Sequence, residues 1–141
     1  MEALKKKPLQ TSRRAKQSGV SILNNVVEEI VHEVMKHDPA NVFRYKVDKK
    51  LALGYYDRIK QPICLEDMHK KAKRQEYTSI AMFKEDMSLM RSNAQQFNGA
   101  ESDIAQLALK LEEAAQTSME SEPHRGLIEQ ATEKIDLNKF I

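Results

Sequence analysis

From Ile80 the apolar residues recur at Phe83, Met87, Met90, Ala94 and Phe97, in steps of 3, 4, 3, 4 and 3. A stripe with that period covers one face of a helix and needs other helices to bury it. The same demand appears three more times. Ile22, Leu23, Val26, Val27, Ile30, Val31, Val34 and Met35 predict a helix over about Val20–Lys36. Leu65, Met68 and Ala72 predict a narrower one over about Leu65–Gln75, and Ile104, Leu107, Ala108, Leu111 and Ala115 one over about Ser102–Thr117. The first stripe belongs to a helix over about Ser79–Phe97. Each of these helices has one apolar face, so the expected fold class is all-α, a four-helix bundle.

The expected boundaries follow from side-chain chemistry. Ser18 or Ser21 is placed to cap the first helix, Thr78 or Ser79 the third, and Ser102 the fourth, because a hydroxyl accepts from a free first-turn N–H. Asp38-Pro39 stops the first helix, since the residue before proline is pushed out of the α region. Residues 37–63 then show no sustained period and hold Pro39, Gly54 and Pro62 with Phe43, Tyr45, Tyr55 and Tyr56. A connection of that length is unusual in a small domain and points to function. Its aromatics set it apart from a disordered linker.

The 141 residues suit one domain with short tails, read as 1–18 arm, 19–118 bundle and 119–141 extension. The extension carries Leu127, Ile128, Ala131 and Ile135 at helical spacing and reads as a short fifth helix or a frayed tail. The arm "KKKPLQTSRRAK" gives residues 1–18 six basic groups against Glu2, while residues 99–141 hold nine acidic against four basic. Such an arm serves nuclear localisation or nucleic-acid contact, or is simply solvated. With one cysteine, no disulfide framework is expected. No apolar run approaches the ~18–20 residues that span a bilayer, and "MEALKKKPLQ" lacks a secretory apolar core. Membrane and secreted classes are therefore not expected.

A search for catalysis finds little. Cys64 and His69 are close in sequence, but no third group orients them, and a buried structural thiol is the plainer reading. His32, His37, His69 and His124 fit no HExxH or CxxC spacing. There is no glycine-rich phosphate loop. No catalytic site, metal site or cofactor is expected.

"SNAQQFNGAES", residues 92–102, ends the third stripe on Asn98-Gly99. Asparagine and glycine both suit a helix end that turns left-handed. An amide also offers a donor and an acceptor, which suits a neutral ligand amide at the mouth of a bundle. Of the adjacent Tyr55 and Tyr56, one can pack while the other offers its hydroxyl.

From about Val20 to Ala115 the chain resembles a bromodomain. The resemblance is carried by "YYDRIKQPICLEDM", "YTSIAMFKEDMSLMRSNAQQFN" and "SDIAQLALKLEE". The span from Phe43 to Tyr55 is similar in length to that of bromodomains in the largest TFIID subunit. The resemblance implies a left-handed bundle with a long loop between its first two helices. It implies a nuclear acetyl-lysine reader, a monomer and not an enzyme, that binds acetylated histone or other nuclear tails and recruits a chromatin or transcription factor. Asn98 would donate to the acetyl carbonyl and Tyr55 would hold it through water. Val47, Leu51, Leu53 and Ile63 would line the pocket from the loop, Phe43 would lie under the acetyl methyl, Phe97 would form a wall, and Ile104 would stand at the rim. Asn93 would tie structure together. The chain departs from the family where a Trp-Pro-Phe shelf is usual: here the residues are "NVF", and there is no tryptophan. Arg44, Lys46, Lys49 and Lys50 also make the loop basic. That favours a second expectation, a scaffold that binds a protein partner or, weakly, DNA through its loop and arm.

Overall fold

The computed structural model describes residues 17–139, so the basic arm lies outside the described residues apart from its last two positions. α1 (Gly19–Lys36) forms where the longest apolar stripe predicts it. Ser18 Oγ accepts from Ser21 N–H at 3.1 Å and starts the helix. Ile22, Leu23, Val26, Val27, Ile30, Val31 and Val34 are all buried. Full burial of each such side chain is worth about 1.5–3 kcal/mol, so this face holds the bundle together. The helix stops at His37. Buried Asp38 then accepts from Val42 N–H (2.9 Å) and Phe43 N–H (2.8 Å), folding the chain back at once.

The long connection includes one short helix, α2 (Tyr55–Arg58), which the absence of periodicity did not predict. Its base is closed by backbone. Leu65 N–H donates to Phe43 O at 2.9 Å and Glu66 N–H to Arg44 O at 3.0 Å, so the connection satisfies the first turn of α3 (Leu65–Lys73). The Asp67 carboxylate accepts from Cys64 N–H at 3.2 Å at the same end.

α4 (Ile80–Asn98) and α5 (Asp103–Glu120) begin under Ser79 and Ser102, whose hydroxyls accept from Met82 N–H and Ala105 N–H. Phe83, Met87, Met90 and Ala94 of the predicted stripe enter the core. Tyr77, between α3 and α4, is fully buried and meets Phe83 edge-on at 5.8 Å. Its hydroxyl donates to Asp86 Oδ2 at 2.7 Å, and Lys71 Nζ reaches the same oxygen at 2.7 Å. Burial and the Asp86 carboxylate hold the Tyr77 phenol protonated, far above its ordinary range.

The extension is a helix rather than a frayed tail. α6 (His124–Asn138) packs on α1 and α5, with Ala131 fully buried and Leu127, Ile128 and Ile135 half-buried against the core. α5 also runs to Glu120, so a boundary at 118 cuts through it. The contact with α1 is close: a Cβ on Gly19 would lie 2.6 Å from Ala131 O and 3.0 Å from Ile135 N.

Candidate functional site

A cavity of about 410 Å³ opens where α4 ends and α5 begins, beneath the long connection. That size is typical of small-ligand sites. Phe43, Val47, Leu51 and Ile63 line it from the connection, Tyr55 from α2, Phe97 and Asn98 from α4, and Ile104 from α5. These are eight of the nine residues the resemblance implies. Leu53 is not among the lining residues and is 83% exposed. Tyr55 N–H donates to Ala52 O at 3.3 Å, closing a turn with Leu53 and Gly54 at its outer corners. Ala52 therefore faces the cavity, and Leu53 faces away. Gly54, at φ +77°, supplies the left-handed corner. Leu51, although 86% exposed, does border the mouth.

Met90 and Ala94, expected only in the bundle stripe, also line the cavity. A signal was present, because Ala94 lies one turn before Asn98 on the same helix face and Met90 one turn before that. Pro62 and Cys64 lie at the base, and Tyr45, Lys46 and Asp48 join the rim.

The two tyrosines divide their tasks. Tyr56 donates its hydroxyl to Val47 O, which pins the connection to α2. Tyr55 is buried, with its ring edge-on to Phe97 at 4.9 Å and to Tyr56 at 5.3 Å. Burial raises its phenol above the ordinary value, so its hydroxyl is a proton donor at neutral pH. Arg58 donates to Gln96 O at 2.8 Å, its guanidinium lies 5.2 Å from the Phe97 ring centre, and Gln96 Nε2 donates back to Arg58 O at 3.3 Å. Asn93 Nδ2 donates to Gln61 O at 2.8 Å, the tying role implied for it. These bonds fix the connection against α4.

Asn98 does not end its helix by turning left-handed. It is the last residue of α4, and Gly99, at φ +89°, makes the turn. Among the described residues the Asn98 amide donates only a long 3.3 Å bond, to Ala94 O. An amide nitrogen has two hydrogens. A second donor is therefore available at the cavity.

Cys64 sits at the cavity base, and burial pushes its thiol up to about 11. A nucleophile needs the opposite shift. Folding thus favours the neutral thiol. Its contribution to stability is complete below the unfolded value and is lost as pH rises through about 11. At pH 8, alkylation of Cys64 in the folded protein is expected to run about two orders of magnitude slower than in denaturant. Iodoacetamide labelling followed by mass spectrometry checks this. Equal rates in the two states would contradict it.

No helix of the described residues is long and apolar enough to cross a membrane.

Comparison with known proteins agrees with this geometry. The Bromodomain family model matches residues 27–110. Bromodomain-containing protein 9 of Xenopus laevis is 31% identical over 105 residues, which make up 74% of this chain and 20% of that protein. Transcription initiation factor TFIID subunit 1 of Caenorhabditis elegans is 27% identical over 136 residues, 95% of this chain and 8% of that protein. The chain thus spans a fifth or less of the length of these two relatives. The solved bromodomain of human BAZ1A superposes with a TM-score of 0.62 at 29% identity, covering 67% of this chain and 89% of that one. The CpBRD2 structure from cryptosporidium gives 0.66 at 25% identity, covering 70% and 92%. Such domains are left-handed four-helix bundles that in general read acetyl-lysine in chromatin and transcription proteins, and this chain belongs to the bromodomain family.

Proposed function

We propose that the cavity binds the acetylated lysines of histone or other nuclear protein tails and so recruits a larger chromatin or transcription protein in the nucleus. The observation that carries this reading is the Asn98 amide, with a donor to spare, at a largely apolar cavity that also holds the Tyr55 hydroxyl. Acetylation converts the lysine tip to a neutral amide with a methyl group. The spare Asn98 donor meets its carbonyl, Tyr55 acts on the same oxygen through water, and Phe43 and Ile63 surround the methyl. Asp48, the carboxylate among the lining residues, is exposed, so an unmodified ammonium taken into the cavity would be buried without a partner, which costs several kcal/mol. One amide hydrogen bond adds only about 0.5–1.5 kcal/mol net, so single-site affinity is expected at tens of micromolar to millimolar. A second reader on a longer protein raises the effective affinity.

The test is a calorimetric or NMR titration with matched acetylated and unmodified histone-tail peptides, run on the protein and on Asn98→Ala. The expected result is acetyl-dependent binding that falls about three- to tenfold in the variant. The variant should stay within about 0.5 kcal/mol of the parent stability, because Gly99 makes the helix-ending turn. Identical negligible binding of both peptides would overturn the reading.

A second reading rests on the exposed Lys46, Lys49 and Lys50 around the connection, which suit phosphate better than a basic histone tail. DNA binding that falls steeply with salt and ignores acetyl-lysine would favour it.

A further inference from the structure

A cluster of metal-ligating side chains lies on the face between α1 and α3, and none of its residues lines the cavity. Glu28 and His32 are four residues apart on α1, so they share one face of that helix. His69 comes from α3. One ligand atom from each lies within 4.8 Å of the other two. The two imidazole rings are 4.9 Å apart at 33°, tilted rather than stacked flat.

The state of His69 distinguishes this cluster from an ordinary solvated group. Its Nε2 is buried and lacks a hydrogen-bond partner among the described residues. It is 3.4 Å from Glu28 Oε1, close enough for attraction but not aligned for a hydrogen bond. A buried imidazole nitrogen without a partner is unfavourable and calls for an explanation. On the other side of the ring, Nδ1 faces Glu66 Oε1 at 3.8 Å, and Glu66 Oε2 faces Arg44 Nε at 3.8 Å. A carboxylate behind the far nitrogen of a ligating histidine is the usual support for a metal site, because it fixes the ring and raises its basicity.

We propose that Glu28, His32 and His69 bind a divalent transition cation, zinc by preference, and so clip α1 to α3. Two imidazole nitrogens and one carboxylate oxygen suit zinc and disfavour magnesium or calcium, which prefer all-oxygen sites. Tetrahedral zinc with bonds of about 2.0–2.1 Å places its ligand atoms about 3.3 Å apart. The three atoms must therefore close by at most about 1.5 Å, which rotation of the half-exposed Glu28 and exposed His32 supplies. The proposal is independent of acetyl-lysine binding, because the cluster shares no residue with the cavity.

The test uses untagged protein stripped with EDTA, titrated with zinc chloride by calorimetry and followed by thermal melting, with magnesium chloride as the control. The expected result is saturable one-to-one zinc uptake and a Tm rise on the order of 10 °C at a hundredfold excess over Kd. Magnesium should do neither. His32→Ala, at an exposed position that leaves the core intact, should weaken uptake at least tenfold and cut the Tm rise at the same zinc concentration by about half or more. Glu28→Gln should weaken uptake about tenfold, and His124→Ala, which alters a separate histidine, should leave it unchanged. Absence of saturable uptake, uptake undiminished by His32→Ala, or equal stabilisation by magnesium would overturn the proposal.

Discussion

Asn24→Ala is expected to lower stability by about 3–5 kcal/mol, a large share of the 5–15 kcal/mol typical of a whole domain. Asn24 is fully buried in α1 among aliphatic neighbours. Its Oδ1 accepts from Tyr77 N–H at 3.1 Å, and its Nδ2 donates to Tyr77 O at 2.8 Å and Val20 O at 2.8 Å. Both backbone groups of one buried residue thus depend on this side chain. Alanine leaves them unpaired, at about 1–3 kcal/mol each, and adds a small void. Tyr77 carries the α3–α4 connection into the core, so its Phe83 contact and its bond to Asp86 loosen with it. Urea titration monitored by circular dichroism gives the magnitude. Asn24→Asp separates the causes. At pH 7 its carboxylate faces two carbonyl oxygens and should be no better than alanine. Acidification restores a donor to that position, and stability relative to the parent should recover. A loss below about 1 kcal/mol for Asn24→Ala would mean that water or a backbone shift replaces the lost bonds.

Gly19→Ala is expected to destabilise by about 1–3 kcal/mol, although alanine favours a helix more than glycine does. The added Cβ would meet Ala131 O at 2.6 Å, Ile135 Cγ1 at 2.8 Å and Ile135 N at 3.0 Å. Two of these atoms are backbone and cannot rotate away, so α6 must move as a body. The displacement should expose the faces of Leu127, Ile128 and Ile135, which are half-buried against the core. Limited proteolysis should then cut near Ser121–Pro123 first, and hydrogen exchange should accelerate in α6 while α4 stays protected. Peptide binding at the cavity should be unchanged, because no cavity residue belongs to α6. A stabilised Gly19→Ala protein would show that α6 does not need this close approach.

Periodicity and capping chemistry made most of the bundle legible. The four predicted helices each appear within a few residues of their expected ends, because each has an apolar stripe and three of them also have a capping hydroxyl at the start. What periodicity missed is specific. Asn24 interrupts an aliphatic face and reads as a flaw in the stripe, since its partner Tyr77 lies in another connection. Gly19 lies just before the expected start of the first helix, and the approach of α6 gives it a reason. Leu53 resembles its neighbour Leu51 in type, but a tight turn sends it away from the cavity, and turn geometry is not written in hydrophobicity. At Asn98-Gly99 the composition was compatible with either residue turning the chain, and the backbone assigns that work to Gly99. The Glu28–His32–His69 cluster escaped every spacing rule because its third member comes from a different helix.

α1 runs from one end of the bundle to the other, about 27 Å for its length. At its far end, Asp38 holds the backbone of Val42 and Phe43, which border the cavity. At its near end, Lys134 Nζ of α6 donates to Gln17 O at 3.0 Å, so the first and last described segments lie side by side. The domain is therefore wired like a socket with both leads at the back. Both leads are attached at the end opposite the opening. Adjacent leads also let such a unit be spliced into a surface loop of a host protein without stretching the host. In a longer protein, short linkers would then aim the opening outward, and several such units could be strung together with all their mouths accessible at once.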